Sequence, residues 1–172
     1  GFLELALAFK FLSNADLVGH WGLLKREIFI GIWILIFLLM TLYLFGIFRF
    51  PHDGPSSKSS ALKKSLGVIS AACAVYLILG ITNIVDLRIL SGFPPPDFYS
   101  LQAKETDCPL GLDCFKDFDE GLVHAKEENK PILLDFTGWT CVNCRRMEEN
   151  VWSQPDIYRM LKEEYVLISL YV

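Results

Sequence analysis

Cys141 and Cys144, separated by Val142 and Asn143, are the residues whose type and spacing point most directly to chemistry. They lie in PILLDFTGWTCVNCRRM, residues 131–147. A short apolar run, Ile132-Leu133-Leu134, leads through Asp135-Phe136 and Thr137-Gly138-Trp139-Thr140 into the pair, and a basic, helix-favouring segment follows. A strand feeding a CxxC that opens a helix is the arrangement used for dithiol–disulfide exchange. The thiolate is the attacking species, and a free cysteine with a pKa near 8.5 is mostly protonated at neutral pH. A helix start changes that, because its unpaired N–H groups and dipole favour a negative sulfur. Cys141 is therefore the expected nucleophile. Cys144, one turn later on the same face, is the expected resolving thiol that attacks the mixed disulfide formed at Cys141. Arg145 and Arg146 add positive charge nearby, or are simply solvated.

Asp135 stands in an otherwise apolar strand, six residues before Cys141. Buried there, it would have a raised pKa and could take the proton of Cys144 during attack. The alternative is an exposed Asp at a strand end. Trp139 and Thr140 are expected to flank the sulfur as a substrate-contact surface. Structural zinc needs a second ligand pair, and Cys108 and Cys114 have five intervening residues, outside the usual spacing. Cys108 and Cys114 read as a small disulfide, as two thiols free or separately paired, or as part of a metal site. Cys73 lies in an apolar segment and reads as a small packing residue. His124 reads as a solvated helix residue.

The elements that must position this chemistry fall into two unlike halves. The chain has 172 residues, 52% of them hydrophobic, and the apolar excess is concentrated in the first half. Residues 28–48 run 21 positions without a charge, which as a helix spans roughly 30 Å, the hydrocarbon thickness of a bilayer. Residues 66–85 form a second uncharged stretch, richer in Gly, Ala and Ser, suited to close helix packing. Residues 1–12 are apolar but interrupted by Glu4 and Lys10, and read as the end of an earlier membrane helix or as an interfacial helix. Residues 49–65 carry Arg49, Lys58, Lys63 and Lys64, against Lys25 and Arg26 before the first span and Arg88 and Lys104 after the second. That bias places residues 49–65 in the cytoplasm and everything after Val85 outside it. The net charge of −4 and the lack of a basic, aromatic-interleaved patch argue against nucleic acid.

Residues 91–116 contain Pro94-Pro95-Pro96 and many turn formers, and the expectation is a semi-rigid polyproline spacer holding a domain off the membrane. From Asp117 the pattern turns globular. Residues 117–128 read as an amphipathic helix with Phe118, Leu122 and Ala125 on one face. Residues 132–136 read as a buried strand, a helix runs from Cys141 to Val151 or Trp152, and residues 156–164 form another helix. Residues 165–172, YVLISLYV, read as a second strand. The expected fold is an α-helical transmembrane segment over residues 1–90, a Pro-rich linker over 91–116, and over 117–172 the βαβ part of an α/β domain with parallel strands.

ILLDFTGWTCVNCRRMEENVW followed by YVLISLYV, with membrane spans just upstream, resembles the end of the DsbD family of bacterial transmembrane thiol:disulfide interchange proteins. The resemblance covers nearly the whole chain. It implies a thioredoxin-like domain that is incomplete here, since the family's cis-proline loop and further strands are not in this sequence. It implies protein-disulfide reductase activity: electrons pass from cytoplasmic thioredoxin, through cysteines of a membrane domain expected before Gly1, to Cys141 and Cys144. They then reach periplasmic thiol–disulfide proteins, including those of cytochrome c maturation. It also implies an inner-membrane location with membrane lipid as a partner, and no bound cofactor beyond the redox-active disulfide. Two other functions compete: a membrane-tethered module capturing a metal such as copper, and a membrane-anchored thioredoxin-like protein without a transmembrane relay.

Overall fold

A computed structural model describes residues 1–51, 61–82, 84–102 and 108–171. Lys58 and Lys104, counted in the charge bias, lie outside the described residues. The chain divides into two compact units, Gly1–Leu12 with Glu27–Leu87, and Ser13–Arg26 with Arg88–Val172.

The first unit is helical. Helix α1 (Phe2–Gly19) begins in it, and α2 (Arg26–Leu44) and α3 (Ala61–Ile81) make up most of it. The expected span 28–48 ends early, at Leu44. Gly46 takes a φ of 78°, and the amides of Gly46 and Ile47 donate to the carbonyls of Tyr43 (2.9 Å) and Leu42 (3.0 Å). That left-handed closure satisfies the last carbonyls and stops the helix. The second span begins earlier than expected, at Ala61, and takes in Lys63 and Lys64. Its buried face is Gly67, Ser70, Ala74 and Leu77. The Ser70 hydroxyl donates to the Phe37 carbonyl of α2 at 2.9 Å, and a Cβ on Gly67 would stand 3.3 Å from the Phe45 ring. Small residues bring the two backbones together. The opposite surfaces are apolar and exposed, with Leu35 at 56%, Val68 at 60% and Ile69 at 59%. Both helices are long and apolar enough to cross a membrane, and an exposed apolar surface of this kind suits lipid rather than water.

The second unit is α/β. Strand β1 (Cys114–Phe115) is followed by α4 (Phe118–Glu128), β2 (Ile132–Thr137), α5 (Val142–Met147), α6 (Pro155–Glu163) and β3 (Val166–Tyr171). Between α5 and α6 the helix widens into a π turn over Glu148–Trp152. The sheet order is β1-β3-β2, and both pairings are parallel. β3 is central, and Val166, Leu167, Ile168 and Ser169 are all buried, as a strand covered on both faces must be. One face packs Leu167 and Leu133 with Leu112, Trp152, Tyr158 and Leu161. The other packs Val166, Ile168, Ile132 and Phe115 against Ala125 of α4. The fold class is as the sequence indicates, a helical part followed by an α/β part with parallel strands. β1 is an addition: two residues are too short to show a period.

The spacer expected over residues 91–116 is not one. Pro94, Pro95 and Pro96 are buried. The Asn150 amide donates to the Ser91 hydroxyl (2.9 Å), and the Gly92 N–H donates to Glu149 Oε2 (3.1 Å). Arg26 donates to the Pro95 carbonyl (2.8 Å) and pairs with Asp97 (3.2 Å). Proline rings bring apolar surface with no N–H to satisfy, so the flanking polar groups can anchor them in the unit. Cys108 and Cys114 are disulfide-bonded, with a Cα separation of 5.8 Å. The expected boundary at residue 90 is corrected too, because residues 13–26 belong with the α/β unit. Asp16, 1% exposed, accepts from the amides of Leu23 (3.0 Å) and Leu24 (2.8 Å) and from the Tyr99 hydroxyl (2.9 Å).

Helix α4 is capped by Asp117, which accepts from the amides of Asp119 and Glu120. Its expected inward face was Phe118, Leu122 and Ala125. Instead Gly121 and Ala125 are buried and Phe118 is 41% exposed. A Cβ on Gly121 would lie 2.5 Å from Cδ1 of the fully buried Ile168 and 3.1 Å from Cβ of Phe115. Gly121→Val is expected to push the helix off the sheet and cost about 2 kcal/mol. Thermal melting of the full chain in detergent checks this, and an unchanged melting temperature counts against the close approach.

Candidate functional site

Strand β2 ends at Thr137, and a tight turn follows in which the Cys141 N–H donates to the Gly138 carbonyl at 3.1 Å. This sets Cys141 at the N-cap of α5 with extended backbone, φ −71° and ψ 98°. The Cys144 N–H donates to Cys141 Sγ at 3.2 Å. Cys141 and Cys144 are joined as a disulfide with a Cα separation of 5.3 Å, and both are partly exposed. The two sulfurs are not equivalent. Cys141 Sγ sits where helix amides point, so its thiolate is favoured once the bond is reduced.

Asp135 faces its register partner Ser169 on β3, whose hydroxyl donates to Oδ2 at 3.2 Å. It is partly buried, and burial pushes its carboxyl up against the opposing pulls of the Ser169 bond and the Arg145 charge. The exposed strand-end alternative does not describe it.

Arg145 departs from the solvated reading. It is 3% exposed. Its Nη1 lies 2.9 Å from Glu148 Oε2, its Nη2 donates to Thr137 Oγ1 at 2.8 Å, and its Cζ is 5.2 Å from the Phe98 ring centre. Glu148 is 5% exposed. Burial pushes its carboxyl up to about 8; Arg145 pulls it down, and Asp135, Glu149 and Asp97 add to the rise. Sequence reasoning missed both residues. A signal was present: Cys141, Cys144, Arg145 and Glu148 fall at i, i+3, i+4 and i+7, the spacing of one helix face.

Trp139 was expected to offer a contact surface. It is partly exposed, and its ring is held in an aromatic cluster, stacked on Tyr171 (centroids 4.2 Å) and met edge-on by His20 (4.6 Å) and Phe98 (6.1 Å). The Lys116 ammonium lies 5.3 Å from it. Thr140 is exposed beside the disulfide. His124 lies apart on α4, 3.8 Å from Glu128 and against Phe115. Cys73 is a free thiol on α3. Among the described residues no three of His, Cys, Asp and Glu converge as metal ligands.

A family profile described as Thioredoxin-like matches residues 113–172, the span from β1 to β3 that carries this site. Over 88% of its length the chain is 27% identical to the thiol:disulfide interchange protein DsbD of two Campylobacter jejuni strains. The chain is thus similar to DsbD over most of its length, and similar to the thioredoxin-like family over its α/β part. It spans 28% of the length of these DsbD relatives. The DsbD-like match runs through the helical half as well as the α/β half, so the disulfide site and the apolar helices belong to one similarity.

The raised Glu148 carboxyl has a pH consequence. Between the ordinary value of 4.5 and about 8 the folded protein holds a proton that the unfolded chain releases. Stability is then fully present below pH 4.5 and is lost as pH rises toward 8, with a slope of at most about 1.4 kcal/mol per pH unit for one proton. Glu148→Gln is expected to flatten that slope, whatever it does to absolute stability. Melting temperatures at several pH values check it, and equal slopes in the two proteins would refute it.

Proposed function

We propose that this chain is the redox end of a membrane-bound protein-disulfide reductase, passing electron pairs through Cys141 and Cys144 to extracytoplasmic acceptor proteins. The observation that carries the reading is the Cys144 N–H directed at Cys141 Sγ, at a helix start reached from a parallel strand. In the reduced form the Cys141 thiolate attacks an acceptor disulfide. A Cys141–acceptor bond forms, the acceptor S–S bond breaks, and its departing sulfur takes up a proton. Cys144 then gives its proton to Asp135 and attacks Cys141 Sγ. The Cys141–Cys144 bond forms and the second acceptor sulfur leaves as thiolate. Two electrons have moved to the acceptor. The cycle closes when another dithiol reduces Cys141–Cys144, for which the membrane-domain cysteines of a longer protein, supplied by cytoplasmic thioredoxin, are the proposed source. Cytochrome c maturation proteins are among the proposed acceptors.

The orientation follows from charge and chain path. Residues 49–65 carry four Lys and Arg against two in each flanking stretch, which favours the cytoplasm for them. Residues 13–26, before α2, and residues 88 onward, after α3, lie in one compact unit, as two crossings require. On this reading the site faces the periplasmic side of the inner membrane.

A trap tests the proposal. The chain in its full-length protein, carrying Cys144→Ser, is expressed in membranes, quenched with acid and alkylated, and the partners linked to Cys141 are identified. Capture of both a membrane-domain cysteine and a periplasmic thiol protein is expected, and Cys141→Ser should abolish both. Capture of neither overturns the reductase reading; capture of the periplasmic protein alone turns it into an anchored oxidoreductase without a relay.

A further inference from the structure

Arg145 is a charge in a place where charge is costly. It directly follows Cys144, points inward with 3% exposure, and divides its guanidinium between Glu148 (2.9 Å) and Thr137 (2.8 Å), with the Phe98 ring against it. A buried ion pair is poor evidence of stabilisation, because apolar residues of similar size often do as well. What the pair does provide is geometry. One nitrogen donates to Thr137 at the end of β2, and another lies in ion-pair range of Glu148 on the active-site helix. The groups facing this centre are Asp135 on β2, Glu148 and Glu149 on the helix, Asp97 beside Phe98, and Tyr171 on β3.

We propose that Arg145, next to Cys144 on the helix that Cys141 caps, is a positioning residue for the exchange reaction, holding Glu148 of that helix against Thr137 at the end of β2. This rests on the oxidoreductase reading above. Arg145 touches no substrate; it acts through the carboxylates whose ionisation opposes thiolate formation at the neighbouring cysteines. Its contact with Phe98 ties the Ser91–Tyr99 segment to the same centre.

The test is the pH profile of alkylation of reduced Cys141 by iodoacetamide, followed by mass spectrometry on the full chain in detergent. The wild-type profile is expected to show a bend that Glu148→Gln removes. R145M, which keeps bulk and loses charge, is expected to move that bend up by at least one pH unit. R145K, which restores charge but not the fork, should fall between the two. A folded R145M that follows the wild-type profile overturns the proposal, as does a wild-type profile that Glu148→Gln leaves unchanged. If R145M does not fold, T137V removes one anchor and no charge; an upward displacement of the bend supports the proposal and a superimposable profile overturns it. Failure of the wild-type Cys141–Cys144 pair to exchange with a disulfide probe such as oxidised dithiothreitol sinks the oxidoreductase reading instead. Normal exchange with an unmoved R145M profile sinks only the positioning role.

Discussion

A guanidinium removed from water must be surrounded by groups that replace water, and the centre of the α/β unit is arranged around that requirement. Arg145 has Glu148 for its charge, Thr137 for its second nitrogen and the Phe98 face for its plane. Each partner comes from a different piece of chain: the active-site helix, the end of β2 and the proline-rich segment. Satisfying one buried cation thus brings together the three segments that surround the disulfide. Of the guanidinium nitrogens, Nη2 has a hydrogen bond and Nη1 has the ion pair with Glu148.

The same centre gives the cysteine pair its polarity. A helix amide acts on Cys141 Sγ, while Arg145 and Glu148 occupy the inward face of the same stretch one to two turns on. Across the π turn Glu148 points toward Arg145 and Trp152 packs into the apolar core.

Much of this was legible in the residues. The CxxC, the strand before it and the two apolar helices have strong local signals, and local signals survive folding. Asp135 was legible because a lone carboxylate in an apolar run breaks its pattern. Arg145 was not, since a basic residue after a helix start is usually solvated, and only the chain distant in sequence, Phe98 and Thr137, decides otherwise. The prolines at 94–96 misled for a similar reason. Composition describes how such a segment behaves alone, and here Asp16, Arg26 and Asn150 hold it in place. That Tyr171 and His20 pack on the Trp139 ring was not legible, because nothing local reveals neighbours so distant in sequence. The end of α2 at Leu44 depended on one glycine inside an unbroken apolar run, which hydropathy does not register.

The buried prolines also bear on how the disulfide meets other molecules. A domain on a leash samples a volume set by the leash, and its encounters with a second site on the same chain are governed by an effective concentration. Here Tyr99 is bonded to Asp16, and Arg26, the first residue of α2, is bonded to Pro95 and Asp97. All of these residues belong to the α/β unit, so the proline segment is folded into that unit and adds no free leash to Cys141.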